Sequence, residues 1–268
     1  MRILFIGDIF GKPGRRILKL HLEWLREELR ADVCIANVEN AAAGKGITEK
    51  IALELFDCGV DLMTLGNHAY DNKDVFNLFQ KGEERVVRAL NYPDDSPGPD
   101  SARWTSGNGA QVTVVQLMGR VHLPPCDSPF TAIDAFLENA PSGAIVVDVH
   151  AEATSEKQAF GWYLDGRVTA VIGTHTHVQS ADERILPKGT ATITDVGMTG
   201  PHDGIIGGAT DVMMRRFLTK LPTGLEVAKG DPKIHALLVE TDESGRRAVA
   251  VERYSLGETD LNKGILEQ

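Results

Sequence analysis

The sequence predicts an α/β domain. Short apolar runs rich in β-branched residues alternate along the chain with stretches in which apolar residues recur at helical spacing. The chain has 268 residues, 42% of them hydrophobic, which is enough to bury one sizeable core. No Pro- or Ser-rich linker divides it. We therefore expect one domain that covers residues 1–268.

The first predicted strand covers residues 2–6 and leads to Asp8. An amphipathic helix is expected from about residue 13 to residue 30, with a proline near its start. Gly11 and Gly14 could suggest a phosphate-binding loop, but the Walker and dinucleotide patterns are both absent. Asp8 is therefore expected at a carboxyl strand end, the edge of an α/β sheet that usually carries the chemistry.

Two further strands end in polar residues in the same way. They are predicted over residues 33–38 and 62–65, with a helix from about 48 to 58 between them. Turn chemistry could explain any one of these strand ends, but hardly three in series. The polar residues that follow the second and third strands are Glu39, Asn40, Asn67 and His68.

The second half of the chain continues with strands. Residues 91–109 are interpreted as an excursion over the surface. The glycine-rich stretch 197–208 is open to three interpretations: close approach of backbone to a ligand, a mobile lid, or a loop. The strands are predicted over 111–117, 144–149 and 168–172, with a terminal hairpin formed by 234–240 and 248–254.

Histidines follow two of these strands. Residues 144–149 lead to His150, and Asp148 and Glu152 are candidates to orient its ring by a hydrogen bond. Residues 168–172 lead through a glycine to His175 and His177. Side chains two residues apart in extended backbone point to the same side, so these two imidazoles could face one point or two neighbouring points. Neutral imidazole is the commonest protein ligand for divalent transition metals, although His-x-His alone could be only a polar strand end.

Composition limits the partners. The formal net charge of −10 argues against non-specific binding to nucleic acid or to an anionic membrane, since both require a positive field. The three cysteines lack metal-type spacing and are interpreted as reduced packing residues. Met1 is followed by a strand rather than a signal-peptide pattern, and no apolar run is long enough to span a bilayer. We expect a cytoplasmic protein that does not bind membranes. The sequence leaves open whether it forms a homo-oligomer.

The polar groups at the strand ends predict a metal site. Carboxylates, amides and imidazoles in these numbers suit two divalent ions better than one, and mixed nitrogen and oxygen ligands favour Fe, Mn or Zn over Mg or Ca. An acidic protein that binds a phosphate ester must neutralise the negative charge of the ester locally, and a bound metal ion is one way to do so. The groups are Asp8, Glu39, Asn40, Asn67, His68, His150, His175 and His177.

The order of these motifs resembles a known family. Gly-Asp at 7–8, Gly-Asn-His at 66–68, a strand ending in His150 and Gly-Thr-His-Thr-His at 173–177 are similar to the motifs of the calcineurin-like metallophosphoesterases. The resemblance implies a double β-sandwich flanked by helices, a four-layer α/β/β/α arrangement.

Two departures from that superfamily narrow the resemblance. Phe10 stands where the first motif normally has a histidine, and Val-Glu-Asn at 38–40 replaces the second motif Gly-Asp-x-x-Asp. With the stretches 148–156 and 194–201, these departures make the chain resemble the small bacterial YmdB-type phosphodiesterases, from residue 2 to residue 254. The resemblance implies a dinuclear site, with iron as the first expectation and Mn or Zn as alternatives. It also implies hydrolysis of 2′,3′- or 3′,5′-cyclic nucleotide phosphodiesters.

The resemblance also implies a role for each residue. It places Glu39 as a bridge between the ions and His68 as the proton donor to the leaving group. A hydroxide between two ions roughly 3.5–4 Å apart could then attack phosphorus in line. Because Phe10 brings no imidazole, the first ion would have a more oxygen-rich set of ligands. The implied ligands are Asp8, Asn40 and His177 for that ion, and Asn67, His150 and His175 for the other.

Two other classes stay open. A metal-dependent amidohydrolase also uses His-x-His, but typically early in a β/α barrel, and no eightfold repeat is visible here. A non-catalytic regulator could bind a nucleotide through a metal site, although the presence of His68 argues for turnover. The sequence identifies no residue that binds the substrate beyond the metal site, and it does not distinguish among phosphodiesters.

Overall fold

Fourteen strands and seven helices lie within the part of the chain that the computed structural model describes, residues 1–107 and 109–266. In chain order the elements are β1 (Arg2–Ile6), β2 (Asp8–Ile9), α1 (Gly11–Glu28), β3 (Val33–Asn37), α2 (Glu49–Asp57), β4 (Leu62–Thr64), α3 (Val75–Gln80), β5 (Val86–Val87), β6 (Ser101–Thr105), β7 (Gln111–Met118), α4 (Pro129–Glu138), β8 (Ala144–His150), α5 (Thr154–Leu164), β9 (Ala170–Thr174), β10 (Arg184–Ile185), β11 (Ala191–Ile193), β12 (Met198–Asp203), α6 (Thr210–Thr219), β13 (Gly230–Thr241), β14 (Ala248–Gly257) and α7 (Glu258–Lys263).

The strands form two sheets. The first has the order β2-β12-β13-β1-β3-β4-β5, with β14 paired to β13, and the second has the order β10-β11-β9-β8-β7-β6. The neighbouring strands β1, β3, β4 and β5 run parallel, and so do β7, β8, β9 and β11. Parallel neighbours bring their carboxyl ends to the same edge of a sheet, so residues that follow these strands lie close together.

Three hydrophobic clusters separate four layers of structure. Alternate residues of β1 point to opposite faces: Leu4 packs with the helices that cover the first sheet, and Phe5 packs between the two sheets. A third cluster joins the second sheet to α4 and α5, for example through Val147 and Phe160. The four-layer α/β/β/α class is therefore confirmed, and the barrel of an amidohydrolase is not the fold of this chain.

The predicted strands and helices are found with shifts of one to three residues at most ends. Thr48 caps α2 by accepting a hydrogen bond from the backbone of Ile51. The prediction that residues 91–109 run over the surface without a strand is wrong in part. Ser101–Thr105 forms an edge strand of the second sheet, antiparallel to β7. Most of this strand is not buried, so its sequence carries little of the apolar signal that marks the central strands.

Half of the glycine-rich stretch 197–208 belongs to the first sheet. Met198–Asp203 forms β12, which pairs with both β2 and β13. Gly7 and Gly14 permit the approach of this segment, because a Cβ atom on either would lie 2.2 Å from a carbonyl oxygen of Gly197 or Thr199. Within residues 1–107 and 109–266, no helix is long and apolar enough to cross a membrane.

Candidate metal centre

Polar side chains from both sheets meet at one edge of the sandwich. Asp8 begins β2, His150 ends β8, and the other residues lie in the loops that follow their strands. The first sheet supplies Asp8, Glu39, Asn40 and Asn67, and the second supplies His150, His175 and His177. The structure brings all seven into one contiguous set of contacts, while their role as metal ligands stays a prediction.

Glu39 lies at the middle of this set. Its carboxylate oxygen Oε1 is 3.0 Å from His150 Nε2 and accepts a hydrogen bond of 3.2 Å from Asn40 Nδ2. The other oxygen, Oε2, accepts a 2.8 Å hydrogen bond from the backbone of His68. Gly66 makes room for these groups, since a Cβ atom there would lie 2.2 Å from Oε2 of Glu39. One buried carboxylate thus contacts both halves of the site.

His150, His175 and Asn67 form one half. His150 Nε2 lies 2.9 Å from Asn67 Oδ1 and 3.1 Å from His175 Nδ1. One potential ligand atom from each of Glu39, His150 and His175 lies within 4.8 Å of the other two. Two imidazole nitrogens and a carboxylate that face one another at these distances form a group able to hold a transition-metal ion.

His177, Asn40 and Asp8 form the other half. His177 Nε2 is 3.2 Å from Asn40 Nδ2 and 3.7 Å from Asp8 Oδ1. Asp8 is fully buried, and its Oδ1 has no hydrogen-bond partner among the described residues. A buried carboxylate oxygen without a partner is costly, and a cation would satisfy it. Asn40 would bind a cation only through its amide oxygen, so its amide group must turn from the orientation seen here.

The pKa values of the two histidines next to Glu39, the buried His150 and the half-buried His175, shift in opposite directions. Burial opposes protonation of His150, but the Glu39 carboxylate outweighs it and raises the pKa of His150 to about 9. Burial would raise the pKa of Glu39, yet His150 lowers it to about 2. Burial lowers the pKa of His175 to about 3, and the charge of His150 adds to this effect. At neutral pH His150 and Glu39 are therefore a buried ion pair, and His175 is neutral.

The expectation that His175 and His177 lie on extended backbone is wrong. Their φ angles are +100° and +67°, in the region that residues other than glycine rarely adopt. The turn directs the ring of His175 to His150 and the ring of His177 to Asn40. The two rings therefore face two neighbouring points of the site rather than one. The backbone carbonyl of Ile206 accepts a 2.9 Å hydrogen bond from His177 Nδ1, which leaves Nε2 facing the site.

Neither of the two proposed orienters of His150, Asp148 and Glu152, makes a direct hydrogen bond to its ring among the described residues. His150 Nδ1 is 2.9 Å from Thr174 Oγ1, and Asp148 accepts a 2.7 Å hydrogen bond from that same hydroxyl. Glu152 lies 3.1 Å from Nε2 of His175 instead. Sequence reasoning missed Thr174, because a β-branched residue at the end of a buried strand has the pattern of a packing residue.

His68 stands at the rim of the centre. Its side chain is 35% exposed, and its Nδ1 is 2.8 Å from Oδ2 of Asp71, a partner that the sequence did not indicate. Phe10, where the superfamily has a histidine, is buried with its ring edge-on to His177 at a centroid distance of 5.4 Å. Phe10 therefore packs against a predicted ligand without offering a ligand atom of its own.

Solved structures with the same fold place this chain in a known class. A hypothetical protein from Thermus thermophilus matches with a TM-score of 0.91 and 47% identity, covering 96% of this chain and 100% of that one. A protein from Mycoplasma pneumoniae described as a novel phosphatase matches with a TM-score of 0.88 and 33% identity, covering 98% and 96% of the two chains. The four-layer sandwich with its converging polar residues is thus of the metallophosphoesterase type.

Sequence comparison identifies the family within that class. The model of the YmdB-like protein family matches residues 4–254, and the chain belongs to that family. A relative from Bacillus subtilis (strain 168), named 2′,3′-cyclic-nucleotide 2′-phosphodiesterase, is 46% identical over 263 residues, which cover 97% of this chain and 99% of the relative. A putative phosphatase/phosphodiesterase from Mycoplasma pneumoniae is 36% identical over 268 residues, covering 97% and 94% of the two chains.

Proposed function

We propose that this phosphoesterase hydrolyses 2′,3′-cyclic nucleotide phosphodiesters at a centre of two transition-metal ions. The observation that carries the proposal is the position of Glu39, a fully buried carboxylate in contact with a group of side chains on each side. The name of the Bacillus subtilis relative supports the choice of substrate. Family membership over residues 4–254 supports the reaction class.

The residues fit the metals that we propose. Asp8, Asn40 and His177 would hold one ion, Asn67, His150 and His175 the other, and Glu39 would contact both. The unpartnered Asp8 oxygen and the 3.1 Å approach of two imidazole nitrogens are the features that a cation would stabilise. Bound divalent ions would supply Lewis-acid activation of water and would neutralise charge on the phosphoryl oxygens.

His68 would supply the proton for the leaving group, and Glu39 and Asp71 hold this residue in place. Glu39 orients the backbone of His68 by accepting its N–H, so the imidazole is anchored beside the centre. Asp71 accepts the Nδ1 proton of that imidazole, so the imidazolium form would present an N–H at Nε2 that can be donated to the departing ribose oxygen. Oxygen from a water molecule bonds to phosphorus as the bond between phosphorus and the 2′-oxygen breaks, the 2′-oxygen takes the proton from His68, and the product is a 3′-phosphomonoester.

A panel of phosphate esters tests the function. Metal-free protein would be reconstituted with Mn²⁺ or Fe²⁺, analysed for metal content, and assayed with 2′,3′-cyclic AMP, 3′,5′-cyclic AMP and bis(p-nitrophenyl) phosphate. We expect about two ions per chain and faster hydrolysis of the 2′,3′-cyclic isomer than of the 3′,5′-cyclic one. Protein that binds both ions and the nucleotide but releases no product would be a regulator rather than an enzyme.

A further inference from the structure

We propose that Thr174 and Asp148 are positioning residues that hold His150 in the form able to bind a metal ion. The proposal rests on the proposed function of the site and adds two residues that do not touch the ion. Thr174 Oγ1 lies 2.9 Å from His150 Nδ1 and 2.7 Å from Asp148 Oδ1. All three side chains are fully buried, so water cannot replace either hydrogen bond.

The direction of the protons in this chain of contacts follows from hydrogen-bond counting. A threonine hydroxyl has one proton, and the Asp148 carboxylate already accepts hydrogen bonds on Oδ2 from Asn37 Nδ2 at 3.2 Å and from Thr64 Oγ1. The carboxylate is therefore surrounded by donors, and the Thr174 proton points to its Oδ1. The oxygen of Thr174 must then accept a proton from Nδ1 of His150.

This arrangement selects one tautomer of His150. With the proton on Nδ1, the lone pair of the neutral ring is on Nε2. That nitrogen faces Glu39, Asn67 and His175 at 2.9–3.1 Å, the position where we propose an ion. A hydrogen bond to the second ring nitrogen is the usual way in which a protein fixes the orientation of a histidine ligand.

The same carboxylate also joins the two sheets below the centre. Asp148 and Thr174 lie on β8 and β9 of the second sheet, whereas Asn37 and Thr64 lie on β3 and β4 of the first. The metal centre likewise draws ligands from both sheets. Asp148 could therefore be only a link between sheets, and a test must separate that role from the positioning of His150.

Thr64 offers a matched control for Thr174. Both hydroxyls are buried and donate to Asp148, but only Thr174 contacts His150. We would compare Thr174→Val, Thr174→Ser and Thr64→Val by Mn²⁺ titration and by thermal melting of the metal-free proteins. Thr174→Val should weaken Mn²⁺ binding roughly 10–100-fold, as loss of a ligand's hydrogen-bond partner typically does, and Thr174→Ser should restore it. Thr64→Val should lower the melting temperature and leave Mn²⁺ affinity near that of the wild type.

The possible outcomes distinguish failure of the positioning role from failure of the proposed function. Unchanged Mn²⁺ binding in Thr174→Val, or equal weakening in Thr64→Val, would show that the network only joins the sheets and would overturn the positioning role. Weakened binding in Thr174→Val with no hydrolysis by the wild type would support positioning and refute the proposed function. Wild-type protein that binds no Mn²⁺ would refute both.

A spectroscopic measurement covers the case in which Thr174→Val does not fold. Nitrogen-15 spectra of Zn²⁺-loaded wild-type protein, with the His150 ring assigned by a His150→Gln variant, report which ring nitrogen carries the proton. We expect a protonated Nδ1 and a metal-bound Nε2. The reverse assignment would overturn the proposal.

Discussion

Glu39 shows how much one residue depends on its surroundings at this site. Its carboxylate is buried and accepts hydrogen bonds from Asn40 and from the backbone of His68, while His150 faces it at 3.0 Å. A buried carboxylate tolerates this position only because its partners neutralise and satisfy it. Both oxygens are in use, so a substitution that removes one acceptor affects both halves of the centre.

Glu39→Gln should abolish phosphodiesterase activity with little change in fold. An amide has the same shape as a carboxylate but offers one good acceptor atom, so contact with two ions at once should fail. Metal content by elemental analysis and the activity of the reconstituted protein measure this directly. A variant that retains near-normal kcat with two bound ions would show that Glu39 is not a bridge.

His68→Ala should separate proton donation from metal binding. Metal content and substrate affinity should be retained, and kcat on the cyclic nucleotide should fall about 10²–10⁴-fold, as expected for a lost general acid. A p-nitrophenyl ester supplies the internal control, because its leaving group departs without a proton. Equal losses on both substrates would assign His68 to phosphate positioning instead.

The turn that carries His175 and His177 shows how an element holds strained residues. Two non-glycine residues at positive φ cost of order 1–3 kcal/mol each, so the surroundings must impose the turn. Asp195 does so by accepting hydrogen bonds from the backbone and the hydroxyl of Thr176, at 3.0 and 2.8 Å. The ammonium of Lys157, 2.6 Å away, neutralises this buried carboxylate.

Lys157→Met should destabilise the protein and weaken metal binding together. Methionine keeps most of the length of the side chain, but Asp195 is left as an unpaired buried charge, which typically costs about 3–5 kcal/mol. Arg167→Met is the matched control, because Arg167 and Asp134 form an exposed pair at 37% and 43% side-chain exposure. Exposed pairs typically contribute about 0–1 kcal/mol. Urea unfolding and Mn²⁺ titration measure both effects, and similar losses in the two variants would contradict this role for Lys157.

At the scale of the whole molecule, the centre exists only because two sheets pack against each other. The first sheet supplies the carboxylates and amides, and the second supplies the imidazoles. The 3.0 Å contact between His150 and Glu39 connects the two sets. If His150 is a ligand as we propose, metal binding breaks the His150–Glu39 ion pair, because a protonated imidazole cannot bind a metal ion.

Metal affinity should therefore rise with pH. The pKa of His150 is raised to about 9, so the ring is protonated at neutral pH and an ion must displace that proton. His175, with its pKa lowered to about 3, has no proton to release. The logarithm of Mn²⁺ affinity should rise with pH with a slope of about one between about pH 6 and about pH 8, and level off above about pH 9. Titrations in that range check this, and an affinity independent of pH would show that His150 is not displaced from its ion pair.

The place of the candidate site residues was predictable because they follow strands whose apolar pattern is strong. Asp8, Asn67 and His150 lie at or just beyond the carboxyl ends of β1, β4 and β8, and parallel strands carry such residues to one edge. Thr174 and Asp71 were not predictable in the same way, since a hydroxyl at a strand end and a surface carboxylate have no distinctive local pattern. Only their contacts with His150 and His68 connect them to the candidate site.

The sequence by itself determined the alternation of strands and helices, the set of polar strand ends and the resemblance to the YmdB-type branch. These features depend on local hydrophobic periodicity and on motifs, which the linear order of residues contains. The tertiary structure decided that residues 101–105 return as an edge strand, that His175 and His177 lie in a left-handed turn, and that Asp148 reaches His150 only through Thr174. Each of these depends on contacts between residues far apart in the chain, because burial and hydrogen-bond partners are settled only when the two sheets pack together.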